Sequence, residues 1–141
     1  MKGILTALLA ALLVMAASAD VVSDLRPAIK EAAVKNGVDP VLMEAIIRWE
    51  SGHATSHAAR TKNNLAGIMG RKGQRSYASK EECISHLGSI LAKYKAKGRV
   101  TVAQIGRAYC HSRTPWVARV TTFMNQIRGG RWGDASRIYG R

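Results

Sequence analysis

The chain has 141 residues, with 22 Lys and Arg against nine Asp and Glu, a formal net charge of +13 at pH 7. That length supports one domain with a modest core. The charge favours an anionic partner such as a cell-wall polymer or lipid surface, or serves solubility and general adhesion. The basic residues are scattered, with no RNP-type aromatic run and no zinc-finger spacing, so no nucleic-acid partner is expected.

Residues 1–19 read as a secretory signal peptide. Lys2 forms a minimal positive region, Ile4 to Met15 is apolar and rich in Ala and Leu, and Ala17-Ser18-Ala19 is an A-x-A cleavage site before Asp20. The stretch is short of the ~20 apolar residues of a full span, but a signal anchor that tethers the chain to the membrane is the alternative. The expected location is outside the cytoplasm, periplasmic or extracellular, with residues 20–141 as the folded domain. Those residues hold 21 Lys and Arg against the nine acids, a net +12.

From Ser23, apolar residues at Leu25, Ala28, Ile29, Ala32 and Ala33 predict one amphipathic helix, stopped by Gly37. Asp39 reads as the N-cap of a second helix, with Pro40 at its first position, Leu42, Ala45, Ile46 and Trp49 as its apolar stripe and Gly52 as its end. Residues 53–78 lack sustained periodicity and read as loop with at most short turns. A third helix is predicted from Ser79 to Gly98, with Ser79 and Glu82 forming a capping box. Thr101 caps a fourth that includes Val102, Ile105, Ala108 and Tyr109. Pro115 opens a fifth, with Trp116, Val120, Phe123, Met124 and Ile127 on one side and Gly129-Gly130 after it, and a short turn follows Asp134. The pattern predicts an all-α domain.

Within this pattern Glu50 carries the chemical signal. It ends an apolar helix beside Trp49, and thirteen residues later comes the polar run Asn63-Asn64-Leu65-Ala66-Gly67. A carboxyl group sheltered from water by such neighbours stays protonated to higher pH and can act as the acid in glycoside cleavage. The ordinary alternative is a solvated Glu at a helix terminus. No partner carboxylate suggests itself: Asp39 and Glu82 have capping roles, and Glu44 lies about 240° around the helix from Glu50.

Glu50-Ser51-Gly52, then Ser56, then Asn63-Asn64-Leu65-Ala66-Gly67-Ile68-Met69-Gly70 resemble the glucosaminidase family of peptidoglycan hydrolases. The likeness continues through Tyr77-Ala78-Ser79-Lys80-Glu81-Glu82, Tyr109 and Trp116, over roughly residues 39–128. Soluble lytic transglycosylases share Glu-Ser-Gly and are the nearest relatives. The resemblance implies a lysozyme-like helical domain, a peptidoglycan substrate and Glu50 as the general acid. Two departures stand out. Gly70 to Tyr77 is too short to hold the family's small β lobe with its second acidic residue, so that lobe is expected to be reduced or absent. Tyr109 is followed by Cys110-His111-Ser112-Arg113 in place of the family's Ala-Thr-Asp.

The expected activity is cleavage of β-1,4 glycosidic bonds, as an N-acetylglucosaminidase-like glycosidase or a lytic transglycosylase in which Glu50 serves as both acid and base. Without a second carboxylate, the substrate's acetamido group or a muramic acid 6-hydroxyl would quench the developing cation. The resemblance gives Tyr109 a hydrogen-bonding role near the reacting sugar, with core packing as its alternative. Asn63 and Asn64 would bind N-acetyl groups or hold their loop, Ser56 would bind substrate or turn the chain, and Trp116 would stack on a sugar or pack in the core; Trp49 is expected in the core. The rival readings are a non-catalytic peptidoglycan-binding module with a degenerate groove, and a cationic membrane-disrupting protein. Cys83 and Cys110 permit a disulfide in an exported chain, or are two small buried positions. His53, His57, His86 and His111 form no ligand spacing with a Cys, so neither metal nor cofactor is expected, and the domain is expected to be a monomer.

Overall fold

The computed structural model describes residues 20–109 and 115–141, so the expected signal peptide of residues 1–19 and Cys110 lie outside the described residues. In chain order the elements are α1 (Val21–Asp24), α2 (Arg26–Asn36), α3 (Pro40–Ser51), α4 (His57–Lys62), strands β1 (Met69–Gly70) and β2 (Gly73–Gln74), α5 (Lys80–Ala96), α6 (Val102–Tyr109), α7 (Trp116–Arg128) and α8 (Ser136–Tyr139). The architecture is the expected all-α, lysozyme-like domain. Its β lobe is cut down to one antiparallel hairpin, with Met69 opposite Gln74 and Gly70 opposite Gly73.

Local chemistry sets most boundaries. Asp39 caps α3 by accepting from the Val41 N–H at 2.8 Å, with Pro40 at the first turn. Ser79 accepts from the Glu82 N–H at 3.1 Å, but the Glu82 carboxylate reaches one residue further back than a capping box requires, to the Ala78 N–H at 2.7 Å. Two expectations change. The first helix is split at Leu25, where Pro27 opens α2 and removes an N–H that a continuous helix would need. Residues 53–78, read as loop, contain α4, a six-residue helix whose apolar side is only Ala58 and Ala59, too short to show a period.

α3 runs through the middle of the core. Leu42, Met43, Ala45, Ile46 and Ile47 are all buried, against Ile29 of α2, Ile84 and Leu87 of α5, and Val120 and Ile127 of α7. A helix enclosed on nearly every side must also bury its polar residues, and Glu44 and Arg48 are 0% and 1% exposed. Arg26 of α2 meets the Glu44 carboxylate through two bonds of 3.0 Å. Arg48 meets it at 2.8 and 3.0 Å and reaches Asp20 at 2.6 Å. The Tyr139 hydroxyl donates to Glu44 at 2.7 Å, and Trp132 lies 3.8 Å beneath the Arg48 guanidinium. Two cations and two carboxylates thus tie α1, α2, α3 and the last turn of the chain together. Burial would raise the Asp20 pKa, but the bonds from Arg48 and Ser23 outweigh it and hold the group at about 2. Its contribution to stability is therefore full above the ordinary value of 3.8 and is lost as pH falls towards 2. Trp49, expected in the core, is half-buried, with the Arg119 guanidinium over its ring at 5.9 Å.

Candidate active site

Glu50 sits on the last turn of α3, and the chain reverses immediately after it. Gly52 ends the helix at φ 55°, and His53 and Ala54 follow at 59° and 67°. Left-handed geometry costs a non-glycine residue roughly 1–2 kcal/mol. Ser51 holds the turn together: its hydroxyl accepts from the Ala54 N–H at 2.9 Å, and its carbonyl accepts from the Thr55 and Ser56 N–H groups at 3.0 Å. Ser56 then caps α4, accepting from the Ala59 N–H at 3.1 Å. Both serines are thereby committed to turning the chain.

The Asn pair builds the opposite wall. Asn63 ends α4 at φ 51°, donates to the Tyr77 carbonyl at 3.1 Å and accepts from Lys80 Nζ at 3.3 Å. Asn64 is 2% exposed. Its amide donates to the carbonyls of Ile68 and Arg75 at 2.8 and 2.9 Å, and its oxygen accepts from the N–H groups of Ala66 and Ile68 at 3.3 and 3.1 Å. All four hydrogen-bonding positions of the side chain are filled, which leaves none for an N-acetyl group. The loop it holds brings Gly67, at φ 64°, against the catalytic candidate: a Cβ there would lie 2.8 Å from Glu50 Oε2.

From the other side, the Trp116 indole N–H donates to Glu50 Oε1 at 2.8 Å. Trp116 is 2% exposed, so its ring offers no face to a sugar and the stacking reading gives way to its core alternative. It is seated by Gly106 of α6, where a Cβ would come within 3.0 Å of the ring, and by Tyr109, whose ring centroid is 5.6 Å away. The Tyr109 hydroxyl donates to the Ala66 carbonyl, so it pins the residue next to Gly67. Burial, and then the nearby Glu50 charge, push the Tyr109 pKa well up and keep the phenol neutral.

This arrangement polarises the Glu50 carboxyl. Burial raises its pKa from the ordinary 4.5, and the indole bond partly opposes the rise. An indole can only donate, so Oε1 is occupied as an acceptor and the proton of the neutral acid belongs on Oε2, the oxygen beside Gly67. Changing Trp116 to Phe is expected to raise the Glu50 pKa further. The alkaline limb of kcat/KM should move up by about one pH unit while kcat falls about tenfold; an unmoved limb would separate Trp116 from the titration. Gly67→Ala should push a methyl group onto Oε2 and lower kcat by about 10² or more, with far-ultraviolet circular dichroism confirming the fold.

All nine carboxylates of the chain are among the described residues. Asp20 and Glu44 are bound to arginines, Asp39 and Glu82 cap helices, and Asp134 accepts from Ser136. Asp24, Glu31 and Glu81 are exposed on α1, α2 and α5. None accompanies Glu50, whose surroundings among the described residues include the indole, a glycine backbone and a neutral phenol. Cys83 is buried and accepts from the Leu65 N–H at 3.3 Å; the question of its pairing with Cys110 lies outside the described residues. Among the described residues no group of three or more His, Cys, Asp or Glu comes together as a metal site.

Two residues of the site carried no functional reading in the sequence. Gly67 was visible only as part of a motif, although a glycine in a tight polar loop signals close backbone approach. Ala66 acts through its carbonyl, for which its side chain gives no clue. A search of curated proteins found no match. The family model for mannosyl-glycoprotein endo-beta-N-acetylglucosaminidase matches residues 26–129, which span α2 through α7 and include every residue around Glu50 described above. The chain therefore belongs to the glucosaminidase family.

Proposed function

We propose that this protein is a peptidoglycan-cleaving glycosidase in which Glu50 is the general acid and the sole catalytic carboxylate. Family membership places it among glycosidases that degrade peptidoglycan. The observation that carries the finer reading is the Glu50 carboxyl itself: half-buried, raised in pKa, bonded through Oε1 to Trp116, with Oε2 beside Gly67 and no hydrogen-bond partner for it among the described residues.

The chemistry follows from that geometry. Oε2–H donates its proton to the bridging oxygen of a β-1,4 bond as the bond breaks, so the leaving sugar departs as an alcohol and positive charge develops at the anomeric carbon. A conventional hydrolase would then use a second carboxylate as nucleophile or as water-activating base. With none beside Glu50, the attacking group comes from the substrate. Either the acetamido oxygen of the same sugar closes onto the anomeric carbon, and water then displaces it while giving a proton to the Glu50 carboxylate, or a muramic acid 6-hydroxyl attacks that carbon, giving up its own proton to the Glu50 carboxylate. The second course is that of a lytic transglycosylase. Both need only the one carboxylate that the site contains.

The test is mass spectrometry of soluble fragments after purified protein is incubated with peptidoglycan, with Glu50→Gln in parallel. Fragments from the unmutated protein alone support the proposal. A folded unmutated protein that binds the polymer and releases nothing would favour a binding module instead.

A further inference from the structure

The hairpin that replaces the β lobe is strongly cationic. Its two turn residues are Arg71 and Lys72, Arg75 follows directly on β2, and all three are exposed. None of them takes part in a salt bridge among the described residues. The nearest acids in sequence open α5: Glu82 is engaged with the Ala78 N–H, and Glu81 faces solvent. Residues Gly70 to Ser76 line a shallow, open recess of about 430 Å³, and the three charges lie along it.

The hairpin is also joined rigidly to the catalytic loop. The Arg75 N–H donates to the Ile68 carbonyl at 2.9 Å, and the buried Asn64 side chain holds the Ile68 and Arg75 carbonyls together. Gly67, one residue before Ile68, touches Glu50. Three residues separate Gly67 from Arg71, which keeps the Arg71 Cα within about 14 Å of the Gly67 Cα. A glycan strand that ran from Glu50 along this loop would bring the groups on its sugars to the recess.

Peptidoglycan strands carry peptide stems with free carboxylates. We infer that Arg71, Lys72 and Arg75 form a binding site for those stem-peptide carboxylates, which makes the protein selective for peptide-bearing over denuded glycan. The inference rests on peptidoglycan being the substrate. The three residues supply up to three charge-assisted contacts. Exposed charge contacts of this kind each change affinity by about two- to fivefold, so together they amount to roughly tenfold at low salt.

Binding is measured with the Glu50→Gln protein so that turnover does not intervene. The two probes are purified glycan strands with their stems and the same strands stripped by an amidase, which keep the lactyl carboxylate of each muramic acid but lose the carboxylates of the stem. The expected result is roughly tenfold tighter binding to stem-bearing strands. Arg71→Gln, Lys72→Gln and Arg75→Gln together should abolish the preference, whereas Arg71→Lys with Arg75→Lys should keep it. A control triple on α2 and α8, Lys30→Gln, Lys35→Gln and Arg137→Gln, removes the same charge and should leave the preference intact. Equal binding to both probes, or equal losses from the two triples, overturns the inference. Failure of the active protein to release fragments would overturn the catalytic proposal and leave this binding difference standing or falling by itself.

Discussion

Replacing Glu50 by Gln is expected to lower kcat on peptidoglycan by about 10²–10⁴-fold while leaving the fold and strand binding intact. Gln preserves the local geometry, because its single carbonyl oxygen can take the Oε1 position and accept from Trp116 while its NH₂ faces Gly67. What it lacks is a proton acidic enough to transfer. Stability should move in the opposite direction. The Glu50 pKa is raised above the ordinary 4.5, so the folded wild type resists ionisation. Below that value the two proteins should be equally stable. As pH rises through it, the buried carboxylate costs the wild type stability that the amide does not. The variant should therefore be inactive and at least as stable at neutral pH, as read by turnover and thermal melts on the same samples. An inactive variant that melts well below the wild type would instead point to Glu50 as a structural residue.

The second large effect lies on another face of the same helix. Glu44→Gln is expected to destabilise the fold by about 3–5 kcal/mol, because it removes the carboxylate that both Arg26 and Arg48 bind and leaves the part-exposed Asp20 as their only counter-charge. On a total of about 5–15 kcal/mol for an ordinary domain, that is a large fraction, and the melting temperature should fall by roughly 10–20 °C. Glu44 lies six residues before Glu50, about 240° around α3. The folded fraction of Glu44→Gln should thus keep wild-type kcat and KM, which distinguishes it from changes at Trp116 or Gly67. A change in melting temperature of only a degree or two would show that the buried network contributes little.

What the sequence reveals and what it hides divides by range. Asp39 with Pro40, Ser79 and Gly52 act on neighbours two to four residues away, so the starts of α3 and α5 and the end of α3 are legible from the residues alone. The position of Glu50 at a helix end is legible for the same reason. Its environment is not, because Trp116 lies 66 residues further on, and only the folded chain decides whether that ring lines a groove or fills the core. Glu44 and Arg48 are an i,i+4 pair that looks like any exposed helix pair until the burial of α3 and the arrival of Arg26, Asp20 and Tyr139 are known. Asn63 and Asn64 stand out in the sequence as substrate-binding candidates, yet in the fold their side chains bond to the backbone of their own loop. α4 is hidden because six residues with two buried alanines carry no period.

The central claim, that Glu50 acts as the lone carboxylate and the substrate supplies the attacking group, is tested most directly by the chemistry of the newly formed chain end. Fragments released from peptidoglycan are analysed by mass spectrometry and by anomeric proton NMR before mutarotation. The account predicts either a 1,6-anhydro end, from attack by the 6-hydroxyl, or a reducing end of retained configuration, from acetamido participation. An end of inverted configuration requires a second group that activates water from the opposite face, and would contradict a one-carboxylate site.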